Sequence, residues 1–201
     1  MKGITGIVDY GVAGNIHSVK KAIEAAGGTV KVVSSAKDFD QVDKIVIPGV
    51  GSFKDAMEEL NNDGFIEAIH TAVSEKPILG ICLGMQILAA LGFEYGEAQG
   101  LNVIEGKVKR LEVDAPLPHI GFNSIEVIAQ NNLLTGLEKE EFYFMHSYEM
   151  VGCDCAVAMT SYRDHSLVSA INRDNIFGVQ FHPEKSREAG IKLLNNFLKV
   201  S

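Results

Sequence analysis

The first half of the chain alternates short apolar runs with segments in which apolar residues recur every three or four positions. The apolar runs predict strands over residues 4–10, 29–34, 44–48 and 77–82. The segments with helical spacing predict helices over residues 15–26, 53–60, 65–73 and 83–91. Alternating strands and helices pair in parallel through right-handed crossovers, which predicts a doubly wound α/β sheet. Because ligands bind such sheets at the carboxyl ends of the strands, we expect the loops after residues 10, 47 and 81 at one edge.

The second half changes to short strands separated by turns, with few helical stripes. The predicted strands cover residues 103–111, 124–128, 141–145, 155–161, 167–172 and 175–181. A last helix over residues 187–199 would bury Ile191 and Leu194, together with Phe197 or Leu198. We therefore expect an antiparallel extension wrapped onto a mostly parallel core, within one domain of residues 1–201.

A nucleophile elbow is predicted at residues 80–84 (GICLG), where glycines stand two residues before and after a cysteine. A tight strand-to-helix reversal needs positions without Cβ, and it leaves the residue at its apex, Cys82, exposed. The sulfur would lie at the N-terminus of the next helix, whose partial positive charge favours the attacking thiolate. Gln86 would lie on the same helix face, within reach of whatever Cys82 attacks. The alternative is that Cys82 is a small buried apolar residue.

A base and a group to orient it stand together near the end of the last predicted strand. His182 and Glu184 are two residues apart, and residues two apart share one face of an extended segment. Pro183 would keep the chain from turning helical between them. Alone, this pair is more often a surface histidine beside an ion-pairing glutamate. Together with the cysteine elbow, it predicts a Cys-His-Glu catalytic triad.

A second glycine loop, residues 48–51 (PGVG), directly follows the third predicted strand. Glycines on both sides of Val50 would let a backbone N–H point at a developing oxyanion; the alternative is an ordinary strand-to-helix turn. No Lys-Ser or Lys-Thr pair follows, so this loop is not a phosphate-binding P-loop. Another glycine loop, residues 11–14, lacks the glycine spacing of a dinucleotide-binding motif. Cys153 and Cys155 have no companion pair of metal ligands. The sequence therefore predicts neither a cofactor nor a metal.

The composition is that of an acidic globular chain. The 201 residues are 46% hydrophobic and 22% charged, with a net charge of −8. This charge disfavours binding to nucleic acid or to anionic membranes, and no apolar run is long enough to span a bilayer. Three cysteines do not form a disulfide framework, and the first residues lack the apolar core of a signal peptide. We therefore expect a cytoplasmic protein.

The motifs make the chain similar to the class I glutamine amidotransferases, whose Cys-His-Glu triad occurs in this chain order. The resemblance runs nearly the full length and rests on residues 9–11 (DYG), 14–15 (GN), 48–51 (PGVG), 82–86 (CLGMQ), 117–123 (LPHIGFN), 143–148 (YFMHSY) and 180–186 (QFHPEKS). It implies a flavodoxin-like fold in which Cys82 is the nucleophile, His182 the general base and acid, and Glu184 the group that orients His182.

The resemblance also implies how substrate and oxyanion are held. The oxyanion would be bound by the backbone around Val50 and Gly51 and by the amide of Leu83. The glutamine substrate would be held by residues at the matching positions Gly49, Gln86, Glu94, His146, Ser147 and Tyr148.

Within the family, the resemblance is greatest to glutaminase subunits that pass ammonia to a (β/α)8-barrel cyclase of histidine biosynthesis. It implies a γ-glutamyl thioester intermediate and a heterodimer in which Asn15, Phe122 and Lys185 face the cyclase. Phe122 stands where these subunits commonly carry Trp. The alternatives are a paralogue that supports amidation of a surface-polysaccharide sugar, a free-standing γ-glutamyl hydrolase, and a non-catalytic module that uses Cys82 as a redox sensor.

Overall fold

The structure is a computed structural model that describes residues 3–11, 15–62 and 64–200. The strands are β1 Ile4–Val8, β2 Thr29–Val33, β3 Lys44–Ile47, β4 Ile78–Ile81, β5 Leu91–Gly92, β6 Ala98–Gln99, β7 Lys107–Arg110, β8 His119–Ser124, β9 Glu126–Val127, β10 Glu141–His146, β11 Tyr148–Val151, β12 Ala156–Tyr162, β13 His165–Arg173 and β14 Ile176–Val179. The helices are α1 Ile16–Ala25, α2 Phe53–Asn62, α3 Phe65–Val73, α4 Leu83–Gln86 and α5 Arg187–Lys199, and 3₁₀ turns lie at Ala36–Gln41 and Pro183–Lys185.

The central sheet has eight strands in the order β2-β1-β3-β4-β14-β13-β12-β9. The five strands from β2 to β14 pair in parallel, and β13, β12 and β9 continue the sheet in antiparallel pairing. A β8–β10 ribbon and a four-stranded sheet, β11-β7-β5-β6, are separate from it. The predicted doubly wound, mostly parallel fold with an antiparallel extension is confirmed. Because β4 and β14 are parallel neighbours, the segments that follow them emerge at the same edge.

Apolar side chains cover both faces of the central sheet. Helices α2 and α3 pack on one face, where Phe65 is fully buried, and α1 and α5 pack on the other, where Phe197 is buried. Successive residues of β3 point to opposite faces, so Ile47 joins the first apolar cluster and Val46 the second. Burial on both faces explains why these strands are continuous apolar runs in the sequence.

The helix after the elbow is shorter than predicted. It ends at Gln86, because the following carbonyls accept hydrogen bonds from a later segment instead of from the next helical turn. The N–H of Leu101 donates to Ile87 O at 2.8 Å, and the N–H of Val103 donates to Leu88 O at 2.9 Å. The apolar residues after Gln86 have the spacing of a helical stripe. They are buried because the segment that contains Leu101 and Val103 folds over them.

Three features of the second half differ from the expectations drawn from the sequence. Strands β8 and β11 were not predicted, and the strand expected over residues 103–111 is limited to β7. Ile191 is 37% exposed, because the buried stripe of α5 runs through Leu193, Leu194 and Phe197 instead. The loop expected after residue 10 includes residues 12–14, which lie outside the described residues.

Candidate active site

Cys82 occupies a strained backbone position directly after β4. Its φ of 54° and ψ of −109° are unusual for a residue with a side chain. The N–H of Cys82 donates to Val179 O of β14 at 2.8 Å, which ties the turn to the central sheet. A Cβ at Gly84 would lie 1.8 Å from Ile47 O, so only glycine fits this close approach. The tight turn is as predicted, but the expected exposure is wrong, since Cys82 lines a cavity and is only 6% exposed.

His182 and Glu184 meet across the 3₁₀ turn that follows β14. Nδ1 of His182 lies 2.8 Å from Oε1 of Glu184, and both side chains are 1% exposed. The same carboxylate oxygen accepts a hydrogen bond from Asn15 Nδ2 at 2.5 Å. The expected extended segment is wrong: Lys185 N–H donates to His182 O at 3.0 Å. The fixed φ of Pro183 suits the first position of such a turn, so it permits the turn instead of preventing it.

The imidazole of His182 is oriented for proton transfer. Because Nδ1–H donates to Glu184, the lone pair lies on Nε2, which is buried and has no hydrogen-bond partner within the described ranges. Burial lowers the pKa of His182, but the nearby Cys82 sulfur and the hydrogen-bonded carboxylate of Glu184 outweigh burial and raise it to about 10. The site therefore stabilises a protonated imidazole whenever Cys82 is a thiolate.

Gln180 contacts the sulfur but was not among the predicted site residues. Its Nε2 donates to Cys82 Sγ at 3.6 Å, and its Oε1 accepts from Gln86 Nε2 at 3.0 Å. Gln86 also donates to Tyr148 O at 2.9 Å, so a chain of side-chain amides joins the elbow to the wall of the cavity. The signal for Gln180 was its position two residues before His182, at the end of a predicted strand.

The predicted oxyanion loop lies beside the elbow. Val50 and Gly51 line the same cavity as Cys82, and the φ of +108° at Gly51 favours glycine. Gly49 is buried and does not line the cavity, and an added Cβ there would lie 2.7 Å from the Tyr10 hydroxyl oxygen. That hydroxyl donates to Pro48 O at 2.6 Å, which anchors the start of the loop.

The cavity has a volume of about 460 Å³. Leu83 lines the cavity. Five of the six predicted substrate-binding residues also line it: Gln86, Glu94, His146, Ser147 and Tyr148. The sixth, Gly49, does not. Three lining residues, Tyr95, Arg110 and Met145, were missed. Nothing in the pattern of a lone surface tyrosine, of the basic strand β7 or of a methionine in a predicted strand distinguishes them. The cavity is thus polar and open, with the sulfur and the imidazole on its wall.

The ring of His146 is fully occupied by protein contacts. Its Nδ1 donates to Tyr148 O at 2.9 Å, so its Nε2 accepts from His119 Nδ1 at 3.2 Å. His119 Nε2 in turn accepts from Asn123 Nδ2 at 3.3 Å. Burial lowers the pKa of His146 to about 4 and also lowers that of His119, so both rings are neutral at pH 7. His146 therefore positions the Ser147 segment and has no free nitrogen for substrate.

The three predicted partner-facing residues have different surroundings. The Phe122 side chain is exposed, its ring packs edge-on against Tyr143 at 5.6 Å, and the Arg187 guanidinium lies 4.4 Å from its centre. Lys185 lies over the Tyr143 ring at 5.6 Å. Asn15, by contrast, uses its amide to hold Glu184, a contact that the sequence did not indicate.

Within the part of the chain that is described, no three histidine, cysteine or acidic side chains cluster as a metal site would require. The same residues include no helix with the length and apolar character needed to cross a bilayer.

The fold and the elbow define a class of enzyme, and comparison with known proteins gives the same class. The family model for glutamine amidotransferase class-I matches residues 7–200, and the chain belongs to this family. It is similar to imidazole glycerol phosphate synthase subunit HisH 1 of Campylobacter jejuni strain RM1221, with 44% identity over 96% of this chain and 98% of the relative. It is also similar to subunit HisH of Aquifex aeolicus, with 42% identity over 96% and 95% of the two chains.

Solved structures agree on the fold. A crystal structure of a glutamine amidotransferase has a TM-score of 0.77 and 19% identity, covering 98% of this chain and 100% of that one. A structure of PurLQS from Thermotoga maritima gives the same TM-score and identity, covering 98% of each chain. At this identity the likeness supports the architecture alone.

Proposed function

We propose that this chain is the glutaminase subunit of an imidazole glycerol phosphate synthase. It hydrolyses glutamine to glutamate and ammonia, and it delivers the ammonia to a (β/α)8-barrel cyclase subunit that forms imidazole glycerol phosphate and AICAR in histidine biosynthesis. The observation that carries the proposal is that Cys82 and His182 line one cavity while Glu184, outside that lining, holds the His182 ring through a hydrogen bond. The 44% identity to a HisH subunit over nearly the whole chain supports this pathway.

In the proposed reaction, His182 Nε2 removes the thiol proton and Cys82 Sγ attacks the γ-carbonyl carbon of glutamine. The N–H of Leu83 and the loop at Val50 and Gly51 stabilise the oxyanion. As the C–N bond breaks, His182 protonates the departing ammonia, and a γ-glutamyl thioester remains. His182 then takes a proton from water, the hydroxide attacks the thioester, and the C–S bond breaks to release glutamate and restore the thiol.

The outer face of the β8–β10 ribbon is the proposed cyclase-binding surface. Ile120 opposes Met145 and Phe122 opposes Tyr143, so these four side chains share one face. Ile120 is 57% and Phe122 38% exposed, whereas Met145 also lines the cavity that contains Cys82. A partner on this face would therefore receive ammonia close to the site where it is released. Lys185 would lie at the margin of this face, and Asn15 would hold Glu184 of the proposed triad behind the face.

Phe122→Ala is expected to weaken the complex with the cyclase about 10-fold or more, because exposed aromatic residues at an interface carry much of the binding energy. Titration calorimetry with the purified cyclase measures the change. Ile128→Ala is the matched control, since Ile128 is also exposed, at 52%, but lies outside the ribbon. Equal affinity for the two variants would place the interface elsewhere.

The proposed function is tested by glutamate release from glutamine, measured for the purified chain alone and with each barrel cyclase of its genome and that cyclase's ligand. We expect strong stimulation by the cyclase of histidine biosynthesis only. Stimulation by a different barrel protein would assign the chain to sugar amidation. High activity without any partner would favour a free-standing γ-glutamyl hydrolase, and no activity under any condition would favour a redox-sensing module.

A further inference from the structure

Two of the three cysteines lie together in the bend between β11 and β12, away from the elbow. Cys153 and Cys155 are two residues apart, and neither lines the cavity that contains Cys82. The chain turns at Gly152, whose φ is +70°, and bends again at Asp154. Two residues of an extended strand span about 6.7 Å between Cα atoms, and a disulfide needs about 4.4–6.8 Å. A bent segment of this length can therefore carry a disulfide.

The two thiols differ in exposure. Cys153 is half-buried and packs against the edge of the first apolar cluster, whereas Cys155 belongs to that cluster and is 8% exposed. The carbonyl of Cys155 accepts a hydrogen bond from Asn172 N–H at 2.9 Å, which holds this end of the bend on β13. Cys153 is therefore the thiol that a reagent in solvent reaches, and Cys155 is shielded behind it.

The two side chains also change each other's ionisation. The neighbouring Cys155 side chain lowers the pKa of the Cys153 thiol to about 7, although burial and the charge of Asp154 oppose this change. Cys153 and burial together raise the pKa of Cys155. The Asp154 carboxylate is paired with the Arg173 guanidinium, which limits its repulsion of a thiolate. Cys153 thus supplies an attacking thiolate near neutral pH, whereas Cys155 keeps its proton.

A half-exposed thiolate beside a shielded thiol is the arrangement of redox-sensitive cysteine pairs. A metal ion would need further ligands, and no three histidine, cysteine or acidic side chains of the described segments group together to hold one. We propose that Cys153 and Cys155 are a reversible oxidation site, at which a hydroperoxide oxidises Cys153 and Cys155 converts the product into a disulfide. The site is separate from Cys82 and does not depend on the proposed glutaminase function.

The proposed oxidation takes place in two steps. The Cys153 thiolate attacks one oxygen of the hydroperoxide, the O–O bond breaks, and the second oxygen takes a proton and leaves as water or an alcohol. Cys153 is then a sulfenic acid. The Cys155 sulfur attacks the Cys153 sulfur, the S–O bond breaks, and hydroxide leaves with the Cys155 proton as water. The two thiols lose two electrons, the hydroperoxide gains them, and an external dithiol restores the pair by exchange.

The test uses the full chain with Cys82→Ala, in which Cys153 and Cys155 are the only thiols left, and the wild-type chain in parallel. Each folded chain is treated with a small excess of hydrogen peroxide, free thiols are blocked with N-ethylmaleimide, and mass spectrometry identifies the products. We expect a disulfide between Cys153 and Cys155 within one chain, and its loss on treatment with dithiothreitol. No disulfide between them in either chain, or one that joins two copies, would overturn the proposal.

The matched variants are Cys155→Ser and Cys153→Ser, each made in the Cys82→Ala chain. Cys155→Ser should stop the reaction at the sulfenic acid of Cys153, so that trapping by dimedone rises about 10-fold over the parent chain. Cys153→Ser should react with peroxide about 10-fold more slowly than Cys155→Ser, because the remaining thiol is shielded and protonated. Equal peroxide reactivity of the two variants would contradict the assigned roles and overturn the proposal.

Alkylation gives a readout that burial alone would not change. At pH 7, iodoacetamide should label Cys153 about 3-fold more slowly in Cys155→Ser than in the parent chain, because the thiolate fraction falls by more than the nucleophilicity of the remaining thiolate rises. Urea-denatured chains should be labelled at equal rates. Equal rates in the folded chains would show that Cys155 does not activate Cys153, and the proposed pair would be refuted.

Discussion

Cys82→Ala is expected to abolish glutamine hydrolysis, with a loss of about a thousandfold or more, because the proposed γ-glutamyl thioester forms on this sulfur. Glutamate release by the complex with the cyclase measures the effect. Ammonia-dependent synthesis by the cyclase should survive, since the variant removes the nucleophile and leaves the ribbon surface intact. Melting temperature and affinity for the cyclase should stay close to those of the wild-type chain.

Cys153→Ala is the control for this experiment, because Cys153 is also a free thiol but does not line the cavity. It should retain full glutaminase activity. If Cys82→Ala kept more than about a tenth of the activity, a covalent mechanism through this sulfur would be untenable.

Gly84→Ala is expected to cause the largest loss of stability, about 3 kcal/mol or more, or failure to fold. The added Cβ would lie 1.8 Å from Ile47 O, and neither backbone segment can move without disturbing the centre of the sheet. Urea unfolding followed by circular dichroism gives the free energy of unfolding.

Gly64→Ala separates this steric effect from backbone strain. Gly64 has a φ of +69°, yet an added Cβ would have no atom within 4 Å, so the cost should be about 1 to 2 kcal/mol. If both variants lost the same stability, the contact between the elbow and β3 would not be the cause.

The sequence predicted the features that depend on residues close together in the chain. Glycines two residues on each side of Cys82 predicted the turn, and the spacing of His182 and Glu184 predicted their contact, although not its 3₁₀ geometry. Alternating strands and helices predicted the parallel core, because each such unit has few ways to pack.

The remaining features depend on contacts between distant segments. Asn15 reaches Glu184 across 169 positions of the sequence, and His119 reaches His146 from a different strand of the ribbon. Arg110 enters the cavity only because β7 pairs with β11 in one particular register. No periodicity within a single segment carries this information.

The position of β14 determines when the enzyme can first act during its own synthesis. This strand lies between β4 and β13 in the middle of the sheet, yet it is the last strand in the described part of the chain. Until residues 176–184 leave the ribosome, Cys82 lacks both the Val179 carbonyl that ties down its turn and the proposed base, His182. A nascent or truncated chain would therefore expose the edge of β4 to aggregation, and under the proposed mechanism it could not hydrolyse glutamine.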